Sequence, residues 1–112
     1  MLRDGQHWRI CEVLCNSMGF FGCFDGNGLR KDYDAAKARA YSSGEALILA
    51  VALDIWNGHG KARLSEVVNV LDGRLLSMVG GLLSALGAED GGDTAEVWLE
   101  KYENAAKARA RR

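Results

Sequence analysis

Apolar positions near the start of the chain recur at helical spacing. Trp8, Cys11, Cys15 and Met18 share one face with Leu14 beside them, which predicts a helix over 6–18. The pattern then breaks: residues 19–28 set three phenylalanines among four glycines, too short and irregular for a helix or hairpin, and read as a loop with aromatic anchors. Residues 30–41 mix alanine with both signs of charge and predict a mostly exposed helix. Ser42 and Glu45 stand in the S-x-x-E relation of a capping box and open the next one. From Ala46 to Trp56 the only charge is Asp54, and Leu47, Ile48, Val51, Leu53, Ile55 and Trp56 cover most of the circumference. The segment 45–56 therefore reads as the core helix, ended by Asn57-Gly58-His59-Gly60.

Ser65 can cap a short helix running through Leu71, and Asp72 can cap a longer one over 73–86 that Gly87 stops. The two are expected to form a tight pair. Residues 88–92 have the composition of a flexible linker, and Asp93 with Glu96 offers a second capping-box spacing for a last helix over 94–110. That helix carries Glu96 and Glu100 early and Lys107, Arg109, Arg111 and Arg112 late, which complements its dipole. The string Ala-Ala-Lys-Ala-Arg-Ala at 35–40 and 105–110 reads as shared surface composition.

Composition agrees with helix throughout: Ala and Leu supply 29 of the 112 residues, whereas Val, Ile and Thr supply 11. The fold class is all-α, a compact single-domain bundle of about five helices. With 14 basic and 15 acidic residues the formal charge is -1, so the chain lacks the basic excess that nucleic-acid binding uses. Its longest uncharged stretches, 13–24 and 75–88, are shorter than the roughly 20 residues of a membrane span. The polar N-terminal residues and three cysteines, an odd number, point to a reducing, cytoplasmic setting.

Candidate chemistry is sparse. His7, Cys11, Cys15 and Cys23 are soft ligand types, but His7 and Cys15 lie about 12 Å apart along a helix axis, too far to share an ion. Packing is the preferred role for them, and no metal or cofactor is expected. His7 and Cys11 could meet on one face, yet a helix interior offers no free N–H groups for an oxyanion, so no catalytic residues are assigned. Asp25-Gly26-Asn27-Gly28 opens like a calcium loop but has Leu29 and Ala36 where oxygen ligands belong. The segment 64–86 has the rhythm of a helix-turn-helix. Its second helix carries Arg74 as its only basic residue, which leaves a DNA-binding regulator as the alternative reading.

That helix instead presents small residues. Ser77, Gly81 and Ala85 fall at i, i+4 and i+8, with Gly80 and Ser84 alongside, and two interior glycines cost about 1 kcal/mol each unless close packing offsets them. Packing of the core helix against this face is one expectation; a protein partner or a homodimer seam is the other. Trp8, Trp56 and Trp98 have the same double reading, as core anchors or interface hot spots. The candidate partner-binding residues are Ser77, Gly80, Gly81, Ser84, Trp98, Arg109 and Arg111. Finally, Ser42-Ser43-Gly44-Glu45, Leu53-Asp54-Ile55-Trp56-Asn57-Gly58 and Leu71-Asp72 resemble segments of small helical proteins from bacterial and bacteriophage genomes, over 42–86 at most. The resemblance brings no catalytic motif. It implies a protein that binds a host protein, including as an inhibitor of host defence.

Overall fold

The structure, a computed structural model, describes residues 2–40 and 42–111. Among them are α1 (Gln6–Ser17), β1 (Phe24–Asp25), β2 (Gly28–Leu29), α2 (Lys31–Arg39), α3 (Ser43–Asn57), α4 (Leu64–Val70), α5 (Gly73–Gly87) and α6 (Gly91–Ala110). The fold is all-α apart from one small antiparallel hairpin, in which Phe24 faces Leu29 and Asp25 faces Gly28. The radius of gyration is 12.8 Å, close to the roughly 13 Å of a folded domain of this length. No helix among the described residues is long and apolar enough to cross a membrane.

The most enclosed element is α1, not α3. Nine of its twelve residues are buried, and it packs against α6 on one side and α3 on the other. The reason lies in polar residues that an apolar stripe does not reveal. Gln6 Nε2 donates to the Gly92 carbonyl (2.8 Å) and to Glu96 (3.1 Å), and Arg9 makes paired hydrogen bonds to Glu103, each 3.0 Å. A polar seam thus joins α1 to α6 alongside the buried core that includes Ile10, Leu14 and Leu99. In α3, Leu47, Ile48, Leu49, Val51 and Ala52 are buried, while Leu53, Ile55 and Trp56 are only half-buried.

The helix ends follow their local chemistry in several places. Ser42 accepts from the Glu45 N–H and the Glu45 carboxylate accepts from the Ser42 N–H, both at 3.0 Å, so the capping box is complete. Gly58 closes α3 in the left-handed conformation, at φ 79°. Asp72 accepts from the Leu75 N–H at 2.9 Å and opens α5. Tyr41, the expected end of the second helix, lies outside the described residues, as does Arg112.

Other expectations are corrected. Arg63, not Ser65, holds the N-cap position of α4, and Ser65 sits inside the first turn. The Asp93–Glu96 capping box does not form, because Glu96 turns to Gln6 and Arg9 and α6 begins earlier, at Gly91. Gly91 and Gly92 are buried in that first turn, so the connection between α5 and α6 is shorter than the composition of 88–92 suggests. The tight α4–α5 pair is also absent. Val67 is the only buried residue of α4, whose closest helical neighbour is α3, and the small-residue face of α5 is not covered by α3: Ser77, Gly80, Gly81 and Ser84 are exposed, while Leu75, Met78, Val79 and Leu82 make the buried side of α5.

Candidate functional site

Most of the residues with reactive side chains, His59 excepted, are taken up by the fold. Glu12, at 6% exposure, gathers the loop after α1: its carboxylate accepts the backbone N–H groups of Gly22 (2.7 Å), Cys23 (3.0 Å) and Phe24 (3.1 Å). The Asn16 amide adds a donor to Glu12 (3.1 Å) and another to the Phe20 carbonyl (2.9 Å). Burial pushes the Glu12 carboxyl above its ordinary range against the pull of these N–H groups. The loop is anchored as expected by Phe20 and Phe24, whereas Phe21 is exposed. It contains a hairpin that its sequence does not announce.

Cys15 and Cys23 lie beside Glu12, with one potential ligand atom from each of the three within 4.8 Å of the others. The Cys15 thiol is raised well above its ordinary value by its contact with Cys23 and by burial, and burial pushes Cys11 up to about 12. A metal needs thiolates and free carboxylate lone pairs, whereas this carboxylate is already held by backbone donors. His7 points elsewhere: Nε2 donates to the Ile55 carbonyl at 2.8 Å, and the ring lies 4.7 Å from that of Trp56. His59 is exposed in the turn after α3.

A second carboxylate does the same work at that turn. Asp54 accepts from the N–H groups of Gly60 (2.8 Å), Lys61 (3.0 Å) and Ala62 (2.8 Å). Gly60 is pressed onto α3 so closely that a Cβ would overlap the Ala50 carbonyl. The following Lys61 takes φ 57°, a left-handed conformation rare for a side-chain-bearing residue.

What remains open is the seam between α5 and α6. A cleft of about 450 Å³ is lined by Ser77, Gly81, Ser84, Val97, Trp98 and Tyr102, among others, and Val97 is 66% exposed. An adjoining cleft of about 310 Å³ is lined by Arg74, Met78, Lys101, Tyr102, Ala106 and Arg109, with further contacts from its walls. Lys101 and Tyr102 border both, so the two clefts lie side by side along α5 and α6 and together make up the α5–α6 groove.

Four candidate residues, Ser77, Gly81, Ser84 and Trp98, therefore come together, and Arg109 stands in the adjoining part. Trp98 is an anchor and not an exposed hot spot: it is 4% exposed, and its Nε1 donates to the Met78 carbonyl at 2.9 Å. A Cβ on Gly81 would sit 3.7 Å from Trp98, an ordinary contact, so the glycine leaves the groove open above the indole. Gly80 meets nothing within 4 Å, and close packing does not explain it. Arg111 is not among the lining residues; its guanidinium lies 5.7 Å from the centroid of the Phe21 ring.

Sequence reasoning missed Lys101, Arg74, Val97 and Tyr102. The one signal available was Arg74, a turn before Ser77 and Met78 on α5; Val97, Lys101 and Tyr102 join them only through the packing of α6 on α5. It also missed a second apolar cleft, about 240 Å³, between α3, α4 and α5, where Leu64 is 71% and Leu83 51% exposed. No protein-family model, curated protein or solved structure matches the chain.

Proposed function

We propose that this chain acts by binding another protein, without catalysis, and that the α5–α6 groove is its contact surface. The observation that carries this reading is the division of labour within the molecule. His7, Glu12, Cys15, Cys23 and Asp54 are engaged in folding contacts, whereas the cleft of about 450 Å³ between α5 and α6 is floored by small and apolar residues with polar groups at its edge. Such a floor with a polar rim is the anatomy of a protein interface. The resemblance of 42–86 to small helical proteins of bacterial and bacteriophage genomes fits a chain that binds and modulates or inhibits a host protein.

Capture from an extract of the source organism tests the reading. Tagged wild type is compared with Gly81→Leu, whose side chain would fill the groove, and with Lys31→Ala on the exposed face of α2. A protein retained by wild type and Lys31→Ala but lost by folded Gly81→Leu supports it. Equal retention by all three contradicts it. The helix-turn-helix alternative is weakened by α5 itself, which presents Arg74 and then Ser77, Gly80, Gly81 and Ser84 to solvent.

A further inference from the structure

The two parts of the groove differ in charge. At the end formed by the start of α5 and the second half of α6, three cations, Arg74, Lys101 and Arg109, line one cleft with no carboxylate among its lining residues. Among the described residues none of the three takes part in an ion pair, whereas Arg3, Arg9, Arg30 and Arg63 all do. The same cleft is lined by exposed Ala105 and by the buried Ser17, Met78 and Ala106, and Tyr102 also borders the neighbouring cleft that holds Val97 and Ala85. The chain as a whole is nearly neutral, so this is a local excess of positive charge.

We propose that the groove receives an acidic amphipathic segment of a partner protein, with its carboxylates at the Arg74, Lys101 and Arg109 end and its apolar side chains along Tyr102 and Val97. The proposal rests on the reading of the groove as the contact surface and adds the chemistry of the partner. Charge complementarity selects the occupant: the cations supply steering and register, and the apolar strip supplies the buried area. Nucleic acid fits less well. A phosphate backbone is held by an extended basic stripe, and here the cations stop where the groove turns apolar.

The test uses the full chain, isotope-labelled, and synthetic helical peptides. One carries leucine at i, i+3 and i+4 positions with glutamate elsewhere; the second has lysine in place of each glutamate. The acidic peptide is expected to shift the amide resonances of Ser77, Gly81, Ser84, Lys101 and Arg109, and its affinity should fall about tenfold or more in Arg74→Ala/Lys101→Ala/Arg109→Ala, equivalent to 1.4 kcal/mol or more. Lys101→Glu alone should weaken it further than Lys101→Ala, which keeps the test valid if the triple variant folds poorly. Binding of the lysine peptide at the same amides with equal affinity would overturn the acidic partner while leaving the groove intact as a contact surface. Failure of the acidic peptide to bind, or binding that the variants do not weaken, would overturn the proposal. A short DNA duplex shifting the same amides at lower concentration than the peptide would replace it with a nucleic-acid partner. Loss of the groove reading itself shows separately, as equal capture by wild type and Gly81→Leu.

Discussion

The side of the molecule gathered by Glu12 and Asp54 and the side along α5 and α6 use their polar residues in opposite ways. On the first, each carboxylate takes three consecutive backbone N–H groups and ties a loop down onto a helix. On the second, Ser77, Ser84, Arg74, Lys101 and Arg109 face solvent around an open groove. Reactive residue types therefore mark the closed side, and residues with little intrinsic reactivity mark the side available to a partner. The two kinds of surface should respond differently to substitution: the first through stability, the second through binding.

The largest effect is expected at Gly60. Any Cβ there runs into the Ala50 carbonyl, so Gly60→Ala must move the loop off α3 and lose hydrogen bonds to Asp54, at a cost of about 3 kcal/mol. Chemical denaturation measures it. A cost below half a kilocalorie would mean that the loop rearranges freely and that the closed side is less tightly specified than the distances indicate.

Glu12→Gln comes next. The amide keeps one acceptor oxygen but turns an N–H₂ group toward the Gly22 N–H and the Asn16 amide, leaving buried donors facing donors, with an expected loss of about 2 to 3 kcal/mol. The same carboxyl gives a pH signature. Its folded-state pKa is raised, so the stabilisation it provides is fully present below the unfolded value, about 4.3, and is lost as pH rises through the folded value. Glu96 works in the opposite sense: bonds from Gln6 and then Arg9 lower its pKa, and its contribution is lost as pH falls through that lowered value. Between the unfolded carboxyl value and the raised folded one, then, Glu12 makes wild-type stability decline with rising pH, and denaturation of Glu12→Gln across that window should show this component gone. An unchanged pH slope would contradict the assignment.

Asp54→Asn should cost less, about 1 kcal/mol, because its carboxylate is only half-buried and water can replace part of what is lost. A loss as large as that of Glu12→Gln would erase the distinction drawn between the two loops. The smallest effect belongs to the open side. Gly81→Ala meets Trp98 at an ordinary contact distance and gains helix propensity, so thermal unfolding should show stability unchanged or raised by up to about 1 kcal/mol. Destabilisation by more than that would show the groove to be a packed seam.

Much of this architecture was legible in the chain. The capping box of Ser42 and Glu45, the Asp72 cap and the Gly58 stop depend on residues within a turn of one another, and such signals survive in sequence. The carboxylate-gathered loops were not legible, because Glu12 and Asp54 act on backbone N–H groups six to twelve residues away, a relation with no side-chain spacing to detect. Gly60 was recognised as a turn residue, but its near contact with Ala50 depends on how the loop folds back. The failed capping box at Asp93 and Glu96 shows the reverse case, a correct local pattern overridden by Gln6 and Arg9 from the far end of the chain. The groove was half legible: the small residues of α5 stood out, whereas Lys101 and Arg109 joined Arg74 as a group only once α6 was in place.

The most direct test of the central claim is site-specific photocrosslinking in an extract of the source organism, with a photoreactive residue in place of Ser84 in the groove or of Lys31 on α2. A discrete protein adduct formed from position 84, absent from position 31 and suppressed by Lys101→Glu, is the predicted result. Adducts of equal yield and identity from both positions would contradict the assignment of the α5–α6 face as the working surface.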